Sequence, residues 1–363
     1  MVPIWVFDIV GLRIAAGKYA LGRRIVRLWI CRAIVLALLL EVAPAFGAGQ
    51  GDYDDCMQNV DQDRRIAGCT RIIDDVGESN RNRRIAYDNR GTAWHAKGEN
   101  DRAIADYTEA IKLNPKDVPA YNNRGTAWRD KGDLDRAIAD YNVAMRFNTN
   151  DAAAYNNRGN VWHEKGDDTR AIADYTEAVR LDPKYALAYC NRGNAWHAKG
   201  ENDHAVADCT EAIRLDPNND LSYRIRGTIY FDIGNFAAAA QDLQRANELA
   251  ADPYAALWLF IARARAGEDG AIELAVNGAR LRINDWPALV IDFYLGRRSF
   301  DDMRAAAADP AQRCEAAFYG GEWLLLRGKL RESKASFQVA ARICAKTVKE
   351  YRTATSELKR MKP

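Results

Sequence analysis

Between residues 84 and 253, apolar and polar positions recur in one order with a period of 34 residues. Two alanine series keep this register, Ala103, Ala137, Ala171, Ala205 and Ala239, then Ala110, Ala144, Ala178, Ala212 and Ala246. So does an aromatic series, Trp94, Trp128, Trp162, Trp196 and Tyr230. Between them the apolar residues fall at helical spacing, which predicts amphipathic helices. The triplet Asn-Arg-Gly ends at Gly91, Gly125, Gly159 and Gly193, Ile225-Arg226-Gly227 makes a fifth copy, and a second glycine follows each first one at Gly98, Gly132, Gly166, Gly200 and Gly234. The second glycine ends one helix and an Asp or Asn behind it, as in Gly132-Asp133, caps the next. Each period is therefore two helices joined by a tight turn. No such unit can bury its apolar face alone, so the units must stack.

These residues, with Pro115, Pro183 and Pro217 closing three of the units, resemble the tetratricopeptide-repeat family, whose unit is a pair of antiparallel helices. The resemblance implies an all-α solenoid of helical hairpins, a right-handed superhelix with a concave groove. It divides the chain into a partial hairpin over 48–83, five units over 84–253, an irregular helical segment over 254–313, and a degenerate unit with a capping helix over 314–363. In that last unit Gly321 and Gly328 again stand seven apart, followed by Phe337 and Ala340. Regular repeats, an irregular stretch with Phe293-Tyr294-Leu295-Gly296 and a final repeat together resemble the layout of the bacterial outer-membrane repeat lipoproteins that act as adaptors. The lipidation cysteine of those proteins has no counterpart here.

Where the family usually carries leucine this chain has Arg90, Arg124, Arg158, Arg192 and Arg226, and sixteen residues after each comes Asp106, Asp140, Asp174, Asp208 and Asp242. The midpoint of every pair is the turn, so folding the hairpin brings each Arg level with its Asp. The expectation is a ladder of surface ion pairs, each contributing about 0–1 kcal/mol. The alternative is an arginine stripe for anionic ligands. The segment 254–313, with its apolar Leu257-Trp258-Leu259-Phe260-Ile261, either caps the stack or offers a partner surface. Lys346 to Pro363, rich in Lys and Arg, reads as a solvated capping helix or a basic tail for an acidic partner.

Composition narrows the class. Hydrophobic residues make up 48% and charged residues 28%, with a net charge of only +2, which describes a globular chain rather than a disordered, polytopic or nucleic-acid-binding one. The first 47 residues differ, with six Lys or Arg against Asp8 and Glu41, an apolar run from Ala33 to Leu40, and small residues from Ala43 to Ala48. This is the pattern of a secretory signal cleaved near 45 or 47, with an over-long start, and the apolar run is too short to span a bilayer. A periplasmic location follows as an expectation.

Six cysteines remain beyond the leader. Pairing them in order puts each midpoint in a hairpin turn, which predicts Cys56–Cys69, Cys190–Cys209 and Cys314–Cys344 as disulfides in an oxidising compartment. Six buried thiols are the alternative.

Candidate chemistry lies in one stripe. His95, His163 and His197 occupy one repeat position, with Arg129 in the intervening unit. The family resemblance places this position in the groove, together with Asn123, Asn157, Asn191, Asn160 and Asn194. Asn can hold the backbone of an extended peptide and His or Arg can pair with carboxylates. Family members that clamp a partner's C-terminal carboxylate do so with groove lysines; Asp88, Asn122 and Asn156 stand there instead. Equivalent atoms in stacked units are too far apart to share one metal, and neither a cofactor motif nor a catalytic constellation is apparent. The sequence thus describes a non-catalytic scaffold for protein or peptide partners, expected among envelope proteins. A carbohydrate or murein-binding module is the second reading.

Overall fold

A computed structural model describes residues 48–250, 252–279, 286–346 and 348–362. The expected leader and Cys31 lie outside these residues. Every regular element among them is an α-helix, nineteen in all.

Helices α1 (Gln50–Met57) and α2 (Gln62–Asp74) form the first hairpin. Five units follow as α3 (Asn80–Ala96) with α4 (Asn100–Leu113), α5 (Val118–Asp130) with α6 (Leu134–Phe147), α7 (Ala152–Glu164) with α8 (Asp168–Leu181), α9 (Ala186–Ala198) with α10 (Asn202–Leu215), and α11 (Asp220–Asp232) with α12 (Phe236–Leu249). The left-handed glycine turn is present in all five units, and the Asp or Asn cap in three, since Glu99 and Glu201 stand at that place in the other two without a side-chain cap. Gly132 has φ +81°, its N–H donates to Arg129 O at 2.7 Å and the Asp133 N–H donates to Trp128 O at 2.9 Å. The Asp133 carboxylate then accepts from the Arg136 N–H that opens α6. The first glycine of each unit serves close approach. A Cβ on Gly125 would meet Tyr141 at 2.9 Å, so the bare backbone makes room for the ring. Successive first helices approach one another, α9 and α11 most closely, while second helices do not, so the stack curves with its first helices on the inner face.

The Arg–Asp ladder is complete and it is not a surface feature. Arg124 Nε and Nη2 reach the two oxygens of Asp140 at 2.8 Å each, and the other four pairs repeat this geometry at 2.6–2.8 Å. The five aspartates are buried. The remaining Nη1 leaves the hairpin and donates to the preceding second helix, Arg124 to Thr108, Arg158 to Asn142, Arg192 to Thr176 and Arg226 to Thr210. Each arginine thereby ties two helices of its own unit to the unit before it. The expected weak surface pairs are corrected to buried, bidentate ones, and no arginine of the series is free for an external anion.

The irregular segment forms α13 (Pro253–Ala266), α14 (Ala271–Gly278), α15 (Ala288–Tyr294) and α16 (Phe300–Ala305), followed by α17 (Pro310–Leu326), α18 (Leu330–Ile343) and α19 (Lys349–Arg360). The run Leu257–Ile261, held as a cap or a partner surface, is instead mostly interior. Trp258 stacks on Phe318 at 5.2 Å and meets Phe231 edge-on at 5.3 Å, so the segment shares one core with the last unit and the end of the array.

Helix α19 departs most from expectation. It is wedged between α18 and α17 on one side and α11 on the other, with Glu350, Thr353, Ala354 and Glu357 buried. Two of its charged residues, Glu357 and Arg360, find partners far along the chain. Arg265 Nη1 lies 2.9 Å from Glu322 and 3.0 Å from Glu357, Glu357 also receives Arg360, and Arg360 Nη2 donates to the carbonyls of Phe231 and Asp232 at 2.7 and 2.9 Å. The last two are carbonyls at the C-terminus of α11, where a cation is favoured.

Two disulfides are formed, Cys56–Cys69 and Cys314–Cys344, with Cα separations of 4.6 and 5.0 Å. The expected third is not: Cys190 and Cys209 are buried free thiols. Cys209 stands where Tyr107, Tyr141 and Tyr175 stand in other units, its sulfur 2.8 Å from where a Cβ on Gly193 would be, so it serves as the packing residue over that glycine. Burial pushes the Cys190 thiol up to about 11, against a bond to Ser222 that lowers it, and also raises Cys209 well above its usual value.

Candidate functional site

The inner face is built from one side of α3, α5, α7, α9 and α11, each positioned by its Arg–Asp staple and by the glycine that admits a side chain of the second helix. All nine residues expected in the groove lie on these first helices, His197 buried and the others half-buried. What they do there is largely to join one unit to the next.

His95 Nε2 lies 2.8 Å from Asp130, Arg129 lies 3.6 Å from Glu164, and His197 Nε2 lies 2.9 Å from Asp232. In each case the acid comes thirty-five residues later, at the equivalent place one unit on. Asp130 also accepts from Arg129 at 3.0 Å, which links three units through four side chains. Burial pushes the Asp130 carboxyl up, but the bonds from His95 and Arg129 outweigh it and hold the group below the ordinary carboxylate range. His163 breaks the rule because Ala198 occupies the acid's place. Its Nδ1 turns to Asp168 in its own hairpin at 2.5 Å, and its Nε2 faces Asn194 Nδ2 at 3.2 Å.

The asparagines follow the same register. Asn123 donates to Asp88 at 3.0 Å and Asn191 donates to Asn156 at 2.9 Å, again thirty-five residues apart. Burial raises the Asp88 carboxyl above its usual range, opposed by the bond from Asn123. Asn160 accepts the Tyr175 hydroxyl at 2.7 Å. Asn157 has only a 3.5 Å contact from Asn156, which leaves most of its hydrogen-bonding capacity unused within the described residues.

Sequence reasoning grouped the basic and amide members of the stripe and missed the acids. Asp130, Glu164 and Asp232 were legible as a series at a fixed offset from His95, Arg129 and His197. Arg352, which enters the same face from α19 with Nη2 3.5 Å from Asn194 Oδ1, carried no such signal.

The tryptophans are not on this face as open platforms. Arg102 covers Trp94 at 4.6 Å, Arg136 covers Trp128 at 4.5 Å, Arg170 covers Trp162 at 3.6 Å, and His204 packs on Trp196 at 5.0 Å. Among the described residues no cluster of three or more His, Cys, Asp or Glu is arranged to hold a metal ion, and no helix is long and apolar enough to cross a membrane.

Comparison with known proteins agrees with this architecture. Profiles described as TPR repeat match residues 91–128, 125–166 and 159–200, and one described as tetratricopeptide repeat matches 186–219. A curated relative, the lipoprotein NlpI homolog of Haemophilus influenzae, is 28% identical over 144 residues, which cover 37% of this chain. The chain spans only 46% of that relative's length. Among solved structures, PilF of Pseudomonas aeruginosa superposes with a TM-score of 0.51 at 18% identity, over 60% of this chain and 99% of that one, a likeness of fold. YrrB, described as a TPR protein with an unusual peptide-binding site, gives a TM-score of 0.39 at 22% identity, over 48% of this chain and 89% of that one.

Proposed function

Since residues 91–219 of this chain are tetratricopeptide repeats, a unit that generally serves protein–protein interaction, we propose that the protein is a non-catalytic scaffold that binds protein or peptide partners along its inner face, in the bacterial periplasm. The observation that carries this reading is the fixed inner surface of half-buried amides. Asn157 holds unspent donors and an acceptor at the centre of that surface, and the units on either side are locked together by the inter-unit bonds of His95, Arg129 and His197. A surface held rigid before binding loses little entropy when it binds. The same bonds argue against proton-transfer roles for those side chains, because each is engaged in holding units together.

Export is supported by the two disulfides, which persist in oxidising compartments. The Haemophilus relative is named as a lipoprotein, in keeping with partners among envelope proteins. The carbohydrate reading is less well supported, since Arg102, Arg136 and Arg170 lie over the rings of Trp94, Trp128 and Trp162 that would stack on sugars.

The test is site-specific photocrosslinking in cells that export the protein, with the crosslinker at Asn123 or Asn157 on the inner face and at Ala173, which is exposed on the second helix α8. The expected result is one envelope protein captured from both inner positions and not from the outer one. Capture only from Ala173, or capture of cytoplasmic proteins alone by an unprocessed chain, would overturn the proposal.

A further inference from the structure

Along the inner face each basic residue of the stripe finds an acid thirty-five residues later, except where Ala198 stands. One turn before Ala198 on the same helix lies Asn194, and at Asn194 the C-terminal helix α19 delivers Arg352. Its guanidinium makes one long contact, Nη2 to Asn194 Oδ1 at 3.5 Å, while Nε and Nη1 are buried without an acceptor. A buried guanidinium with no counter-charge is costly. The contrast with the arginines of the ladder is sharp: Arg90, Arg124, Arg158, Arg192 and Arg226 each hold a carboxylate in two bonds, and Arg265 bridges two. Asn194 thus touches both His163, the basic residue without its acid, and Arg352, the cation without a partner.

Arg352 and Asn194 line a cleft of about 260 Å³ between α9, α11 and α19, with His197, Arg224, Thr228 and Lys349 as the rest of its polar lining. The acids around it are committed elsewhere. Asp252 pairs with Arg224 at 2.9 Å, Glu350 lies 3.9 Å from Lys349, Asp168 is bonded to His163 at 2.5 Å, and Asp232 Oδ2 is bonded to His197 at 2.9 Å. Asp232 Oδ1 has no partner and is the internal competitor for Arg352.

We propose that this cleft receives a carboxylate carried by the binding partner, seated on Arg352 with the Asn194 amide as a neighbouring donor, one turn from the position where Ala198 interrupts the series of acids. The inference rests on the inner face being the protein-binding surface, but its test uses small probes, so it fails or stands apart from the crosslinking result. A bidentate Arg–carboxylate bond gives orientation as well as affinity. Because Arg352 comes from the far end of the chain, a partner docked there would touch the repeat array and the C-terminal bundle together.

The experiment follows arginine Nε–H signals in the full chain, labelled with ¹⁵N-arginine, at constant ionic strength. The probes are acetyl-Ala-Ala with a free C-terminus, acetyl-Glu-Ala-amide, acetyl-Ala-Ala-amide and inorganic phosphate. The signal lost in Arg352→Lys is expected to shift saturably with one or both acids and not with the neutral amide. The first acid reports a C-terminal carboxylate and the second a side-chain one. Ala198→Asp, which supplies the missing acid within the chain, is expected to weaken that binding at least tenfold, and Asp232→Asn to strengthen it. If Arg352→Lys does not fold, the signal is assigned instead as the one moved by both of these variants. No saturable shift in the native protein, binding seen only in Asp232→Asn, an equal shift with the amide, binding of phosphate alone, or an Ala198→Asp variant that binds unchanged would each overturn the proposal.

Discussion

Replacing Asp140 by Ala tests whether the Arg–Asp ladder carries stability or only decorates the hairpins. In the folded protein Arg124 and Asp140 side chains are 18% and 8% exposed and meet in two 2.8 Å bonds, with a third from Arg124 to Thr108. The Asp140 carboxylate holds the Arg124 guanidinium above its ordinary range, against burial that lowers it. Truncating the acid leaves that guanidinium half-buried with only the Thr108 bond. Breaking a buried pair from one side costs about 3–5 kcal/mol, and because Arg124 retains some solvent the expected loss is about 3 kcal/mol. Replacing both, as Arg124→Leu with Asp140→Ala, removes the stranded charge and puts an apolar residue where the family usually has one. The double variant should therefore lie within about 1 kcal/mol of the native protein. The assay is urea unfolding followed by circular dichroism at several wavelengths, with the double-mutant cycle evaluated only where the transitions coincide. A single substitution that costs under about 1 kcal/mol, the value of a surface pair, or a double variant whose loss equals the sum of the two singles, would refute the argument.

Asp88→Asn should raise stability at neutral pH, since burial raises the Asp88 carboxyl in the folded state and its charged form is therefore penalised there. For an acid with a raised folded pKa, stability is lost as pH rises from the unfolded value toward the folded one. The gain should therefore shrink on acidification and vanish below about pH 3.9, a pattern that thermal melts across pH 3–7 would reveal. Of the six cysteines from Cys56 onward, none should react with iodoacetamide in the folded protein. Two should react on unfolding without reductant and all six after reduction, as read by mass spectrometry; labelling of none before reduction would mean that Cys190 and Cys209 are joined. Gly132→Ala places a side chain at φ +81° and should cost about 1–2 kcal/mol, checked by its urea midpoint.

The local architecture was legible in the sequence by itself. A 34-residue period with glycines at two fixed places leaves little choice but stacked helical hairpins, since the first glycine lets the two helices approach closely and the second takes a left-handed turn. The Arg–Asp series was equally plain, because two residues equidistant from a tight turn must face each other. Those inferences succeed because the interactions are local or repeat exactly one unit apart. What the sequence could not decide was how buried the pairs are, which cysteines bond, and where the chain's end goes. Cys190 and Cys209 have the right spacing, but Cys209 is the residue packed over Gly193, which reserves its sulfur for the core. Helix α19 looks solvated because its residues are polar. Its Glu357 is matched by Arg265 and its Arg360 by carbonyls of Phe231 and Asp232, partners some ninety to one hundred and thirty residues away. Charge compensation across such distances has no period and no local signature, so only the tertiary structure brings Arg352 to the inner face and leaves it there without an acid.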